Sequence, residues 1–434
     1  MVVRFEVPKE VRYSCTQCGD CCRGWHILLG PGEEERIGGL EFGAEAGHVA
    51  GAAARSVEVK VPGLGRRRRL AQKRDVIAGN DEAECLFLGE RQECLIHAHH
   101  GAEAKPLLCR LYPFGFYPMG DRIAVDVAFS CKAVSEGRGA EVTDRSLPEW
   151  ADLLSEAAGA VDRRAHRLRG GLKVTPELMW EVEHTLVGLL EEGSLGLTDR
   201  VRACLQFLKL GLTGDPAKAS AAVLRGAIAS GLAKQMGKLA PPEPMDRTQR
   251  TAFFQWMFLC LNRPPENIHE LPMMEKQAVE RERLAVAERF QRQEGAPHVG
   301  GRDLACTFEE AQRVDAGIFE GEGPAVLRSF LRAKIVSQKF LIAGQGEESP
   351  LVEGVRQFFL VYPMTIWGAK ALAAEEGCGA VELRHVGRAL RLLDTTLGQV
   401  SILALPEKIR EVYSFLLAET DWVMSATRDV MRVD

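Results

Sequence analysis

The sequence has no apolar run long enough to cross a bilayer. The best candidate, FFLVYPMTIWGAKALAA at 358–374, is broken by Pro363 and carries Lys370. It falls short of the roughly 20 apolar residues that a span requires, so no membrane partner is expected. The first ten residues, MVVRFEVPKE, contain Arg4, Glu6, Lys9 and Glu10 and no apolar h-region. A signal peptide is therefore not expected, and the chain reads as cytoplasmic. Charge of one sign is scarce as well: a net charge of −5 over 434 residues gives no electrostatic reason to expect a nucleic-acid partner. No Ser-His-Asp signature, P-loop or HExxH occurs, which removes the usual grounds for hydrolase or phosphotransferase chemistry.

What remains is ordinary globular material, 46% hydrophobic and 26% charged, enough for two or three domains with a sizeable core. Two regions differ in pattern. In residues 1–145, VVRFEV (2–7), SVEVKV (56–61) and RIAVDVAF (122–129) read as short strands, the last two by their alternation. PMGD (118–121) reads as the turn of a hairpin between FGFY and the last of them, while GEEERIGGL (32–40) and the stretch before Cys109 read as short helices. From 146 to 434 the apolar spacing changes to threes and fours, in 147–168, 175–193, 215–236, 271–293, 382–400 and 406–427. Asp215-Pro216 is a helix-opening pair, Ser146 a weaker one, and 241–246 and 344–350 read as loops. The expected fold is mainly α: a small N-terminal α+β cysteine-cluster domain (1–145) followed by a large helical domain (146–434).

Cysteine is what the sequence has in excess. Eight of the twelve precede residue 135: Cys15, Cys18, Cys21, Cys22, Cys85, Cys94, Cys109 and Cys131. The other four, Cys204, Cys260, Cys306 and Cys378, stand singly among apolar residues and read as small core hydrophobes. A disulfide framework conflicts with a reducing cytosol, and a bond between adjacent Cys21 and Cys22 would close a badly strained ring. Metal ligation is the consistent use. The overlapping CxxC pairs of CTQCGDCC match the first three ligands of a cuboidal iron–sulfur cluster, with the fourth supplied from a distance. The same spacing also serves a zinc knuckle completed by remote cysteines or a histidine, so iron and zinc both stand. Gly19 gives the loop freedom to wrap closely. His97 leads the histidine alternatives, ahead of His26, His99 and His100.

The surroundings of the remote cysteines are distinctive: CLFLGERQECLIHAHH (85–100), KPLLCRLYPFGFYP (105–118) and FSCKAV (129–134). Together with CxxCGxCC they resemble the YkgJ-type cysteine-cluster family, described as zinc- or iron-chelating. CCRGW at 21–25, the late Cys131 and the long helical remainder resemble its larger branch, the flagellin lysine-N-methylases. The resemblance covers roughly residues 13–135 and implies that the eight cysteines hold an iron–sulfur cluster (4Fe-4S) or zinc. It also implies S-adenosylmethionine as a cofactor and a protein substrate such as flagellin. Neither VPGLGRRRR (61–69) nor AGQGEES (343–349) builds the strand, Gly-rich turn and helix of a doubly wound methyltransferase, so that cofactor would sit at the metal. The competing expectation is a non-catalytic, metal-stapled module whose helical domain binds another protein.

Other conspicuous residues have plainer readings. GRRRRLAQKR (65–74) reads as a solvated hairpin arm. Arg110 is either a donor to a thiolate or anion, or one half of a salt bridge. Trp180, Trp256, Phe253, Phe254 and Phe258 read as core.

Overall fold

A computed structural model describes residues 4–23, 26–43, 46–50, 55–61, 65–77, 83–119, 122–143, 175–211, 239–262, 272–338, 351–396, 402, 405–419 and 421–433. The architecture is mainly α, with small sheets confined largely to the N-terminal part. The helices expected over 147–168 and 215–236, the loop at 344–350, the caps at Ser146 and Asp215 and the division at 145/146 lie outside the described residues.

The two alternating segments of the N-terminal part each form half of an antiparallel hairpin. Ser56–Val61 pairs with Gly65–Leu70, and Phe114–Met119 pairs with Arg122–Val127. Arg4–Glu6 adds in parallel to the outer edge of Arg122–Val127, giving a three-stranded sheet. The arginine arm is solvated only as far as Arg68. Arg69 is buried, its guanidinium 2.7 and 3.0 Å from the Asp75 carboxylate. Ile37, Leu70, Leu86, Phe87, Leu95 and Ile96 form a small core beneath this hairpin.

A larger core occupies the helical part. Phe254, Phe290, Phe308 and Trp367 meet edge-on or tilted at its centre, with ring centroids 5.2–6.1 Å apart. The apolar segment that came nearest to a membrane span is the middle of this core. Helix Val361–Glu375 is buried from Val361 to Ala373, and Pro363 sits in its first turn, where no intrahelical donor is lost. Lys370 is wholly buried and donates to the carbonyls of Val430 and Arg432, both at 2.9 Å. No described helix is long and apolar enough to cross a membrane. Val127, Phe129 and Cys131, from the N-terminal side, join this same core.

Three readings change. The segment 406–427 is two helices, Glu407–Glu419 and Trp422–Met431; the break lets Trp422 turn inward and donate its indole N–H to Gln249 O at 3.1 Å. Trp180 is half-exposed and stacked on His184, one helical turn away, while Trp256, Phe253, Phe254 and Phe258 are buried. Cys204, Cys260 and Cys306 are buried as expected, but Cys378 is half-exposed, with Arg384 donating to its sulfur at 3.4 Å.

Candidate metal centre

Six short segments bring the cysteines together. Cys15 and Cys18 lie on the loop that leaves strand Arg12–Tyr13, and Cys21 and Cys22 form the 3-10 turn Asp20–Cys22. Gly19 turns the chain into that helix with φ of 73°, a left-handed conformation that suits glycine, and a Cβ there would meet Leu88 Cδ1 at 2.9 Å. Cys85 is tied to the loop by its own N–H, which donates to Cys22 O at 2.7 Å. Cys94 and Cys131 stand at the N-caps of helices Leu95–His100 and Lys132–Ser135, and Cys109 lies within Leu107–Leu111. The two caps thus set the Cys94 and Cys131 sulfurs beside helix-start backbone N–H groups, which favour negative charge.

All eight cysteines line one cavity of about 550 Å³. Tyr13, Tyr112, Phe87, Phe114 and Phe116 supply much of the apolar wall, and His26, His97, Lys105 and Lys132 also border it. His99 and His100 are directed elsewhere: His100 Nε2 lies 2.7 Å from Glu41 O, and both rings rest edge-on against Phe42. Arg110 is half-buried and does not line the cavity.

The electrostatics are those of thiols crowded away from water. Burial, with Cys21 and Cys94 nearby, pushes Cys109 up to about 12, and Lys105 pulls the other way. Burial pushes Cys131 up to about 11. Cys85 and Cys94 are raised by burial, and Cys21 by its hydrogen bond with Cys22, by burial and by the neighbouring charge. The Tyr13 and Tyr112 hydroxyls are likewise pushed up by burial and by the cysteines facing them. Such a set stays protonated unless a cation compensates it, and a bound metal deprotonates ligating thiols outright. The donor chemistry therefore fits a thiophilic metal.

Spacing adds a further constraint. Among the described residues, no three of the eight ligand sulfurs lie within 4.8 Å of one another. A single zinc with sulfur at about 2.3 Å would draw its thiolates to roughly 3.8 Å apart. The trio that is that close lies elsewhere, at Glu376, Cys378 and His385. Sequence reading passed it over, although three donor types within ten residues were visible. It is laced with cations: Arg384 and Arg388 both bond Glu376, and the ring N–H of His385 is 3.1 Å from the same carboxylate. An ion-pair network accounts for it.

Sequence reading also missed what holds the cysteine loop from the far side. Arg391, in helix Leu383–Thr396, pairs with Asp20, and Arg23 donates to Glu84 at 2.7 Å. Both are contacts between residues far apart in the chain, and neither has a local signature.

Residues 14–132 match the model of the CxxCxxCC family, "Putative zinc- or iron-chelating domain". No curated protein and no solved structure matches the chain. Over that span the protein is similar to metal-chelating cysteine-cluster proteins.

Proposed function

We propose that this zinc- or iron-chelating region holds an iron–sulfur centre on its eight cysteines, and that the chain is a protein lysine N-methylase using S-adenosylmethionine, with flagellin as the model substrate. One observation supports the first part: Cys15, Cys18, Cys21, Cys22, Cys85, Cys94, Cys109 and Cys131 border one cavity, more thiols than a single zinc takes. The second part takes its reaction from the resemblance of CxxCGxCC, CCRGW and KPLLCRLYPF to the flagellin lysine-N-methylases.

When bound, such a centre would supply an iron open to a further ligand only where three of the cysteines, rather than four, hold a cluster. The chain's own residues do the rest. The eight thiols give up protons on loading, Lys105 and Lys132 offset part of the negative charge that results, and the aromatic wall limits water. No doubly wound nucleotide-binding sheet occurs among the described residues, so the cysteine cavity is the natural seat for the methyl donor.

A second reading has its own observation. Cys131 belongs to the core of the helical part, and Asp20 is paired with Arg391, so the centre also fastens the N-terminal part to the helices. That favours a metal-stapled interaction module. Anaerobic purification with metal analysis and visible spectra, followed by S-adenosylmethionine titration and a flagellin methylation assay read by mass spectrometry, separates the two. Iron with sulfide, a spectrum perturbed by the cofactor and methyl-lysine on flagellin support the methylase. Tightly held zinc with no cofactor binding replaces it with the module.

A further inference from the structure

A second cavity of about 370 Å³ adjoins the cysteine chamber, sharing Asp20, Cys21 and Tyr112 with it. Four arginines line it. Arg23 comes from the cysteine loop, Arg302 from the short strand Arg302–Asp303, and Arg388 and Arg391 from one face of helix Leu383–Thr396, three residues apart. Asp20 is the one acidic residue among the lining residues. Four guanidinium groups converging from three separate segments would repel one another if nothing negative lay between them.

Three of the four arginines are held from outside the cavity, while Arg391 pairs with Asp20 within the lining, so an incoming oxyanion shares Arg391 with that carboxylate. Glu375 grips Arg302 with both oxygens and also lies 3.8 Å from Arg388, Glu376 bonds Arg388, and Glu84 bonds Arg23. None of these three glutamates lines the cavity. They fix the planes of Arg23, Arg302 and Arg388 from behind, so that the lining itself carries four guanidinium groups against the single carboxylate of Asp20, an arrangement that can take an oxyanion. The Ser130 and Tyr112 hydroxyls, 3.5 Å apart, close the end next to Cys21, and Val299, Leu304, Leu372 and Leu392 form an apolar flank. The size suits a small organic ligand.

We propose that this cavity binds a small molecule bearing a carboxylate or phosphate, with its oxyanion on Arg388 and Arg391 and its apolar part along Leu372 and Leu392. Binding itself needs no metal. That the bound molecule faces the reacting centre through Cys21 and Tyr112 rests on the function proposed above.

The test uses the full-length, metal-loaded protein in buffer free of phosphate and sulfate, titrated calorimetrically with inorganic phosphate and, separately, with butyrate. Saturable one-to-one binding of either probe is expected, and which one binds identifies the oxyanion. Arg388→Met and Arg391→Met should each weaken it about tenfold or more. Arg313→Met, on a remote helix where its partner is Glu309, should not. Arg302→Gln replaces either variant that fails to fold, and absence of binding to the wild type is decisive alone. Absence of saturable binding of both probes to the wild type, or wild-type affinity in the folded lining variants, overturns the proposal. Metal is counted in the same samples. Intact metal without anion binding sinks this site alone, whereas anion binding without metal upholds it and sinks the metal-centre reading.

Discussion

Lys334 reaches across from helix Ala325–Val336 to Asp126 on the strand that leads to Cys131, with Nζ 3.0 Å from Oδ1. Its side chain is fully buried. The same ammonium lies 2.9 Å from Asp394 and donates to Val127 O at 2.8 Å. Asp394 in turn accepts the Ser130 N–H at 3.1 Å, one residue before Cys131. The Ser337 hydroxyl also donates to Asp126 at 3.2 Å, so two carboxylates and one lysine belong to one buried network.

Removing the cation should be severe. Lys334→Met removes the buried ammonium from beside Asp126 and Asp394, a loss of about 3–5 kcal/mol by chemical denaturation. Combining it with Asp126→Asn and Asp394→Asn should restore a good part of that. Equal stability of Lys334→Met and wild type would show that the network contributes nothing.

The eight cysteines should act together. Cys18→Ser and Cys109→Ser are each expected to lose most bound metal, since ligation and local folding are coupled. Cys204→Ser and Cys378→Ser should retain it, because neither lines the chamber. Elemental analysis per chain decides the matter; full metal in Cys18→Ser would remove that residue from the centre.

Gly19→Ala forces a left-handed backbone on a residue with a Cβ, at about 1–2 kcal/mol, and drives that Cβ towards Leu88 and Gln92 O. Reduced metal retention should accompany the stability loss. An unchanged metal content would mean that the loop tolerates another path.

Glu375 gives a pH signature. The Arg302 guanidinium holds its carboxyl below the usual carboxylate range. A depressed folded value stabilises above the unfolded value of about 4.3, and the contribution is lost as pH falls through the folded value. Glu375→Gln should therefore be less stable than wild type near pH 7, by under about 1 kcal/mol because Arg302 is over half exposed. The difference should shrink as pH falls below the unfolded value and vanish once pH is below the depressed folded value. A gap that widens in acid would contradict the pairing.

The strands at 56–61 and 122–127 were legible from alternation, and helices such as Pro176–Leu190 from their spacing, because those signals are local. The cysteine set was legible because ligand residues are chemically rare. Trp180, Cys378 and the break before Trp422 were not legible, since exposure and turning depend on what packs opposite. Nor were Lys334 and Arg391 visible as site supports: their partners lie 208 and 371 residues away.

The wall common to the two cavities makes one short loop answer to both. Asp20 and Cys21 cannot shift to suit an occupant on one side without altering the room on the other. Affinities on the two sides are then bound by reciprocity: whatever factor a loaded centre imposes on anion binding, the anion returns to the centre unchanged. The loop's strength as a coupler can therefore be measured from whichever side is easier to titrate.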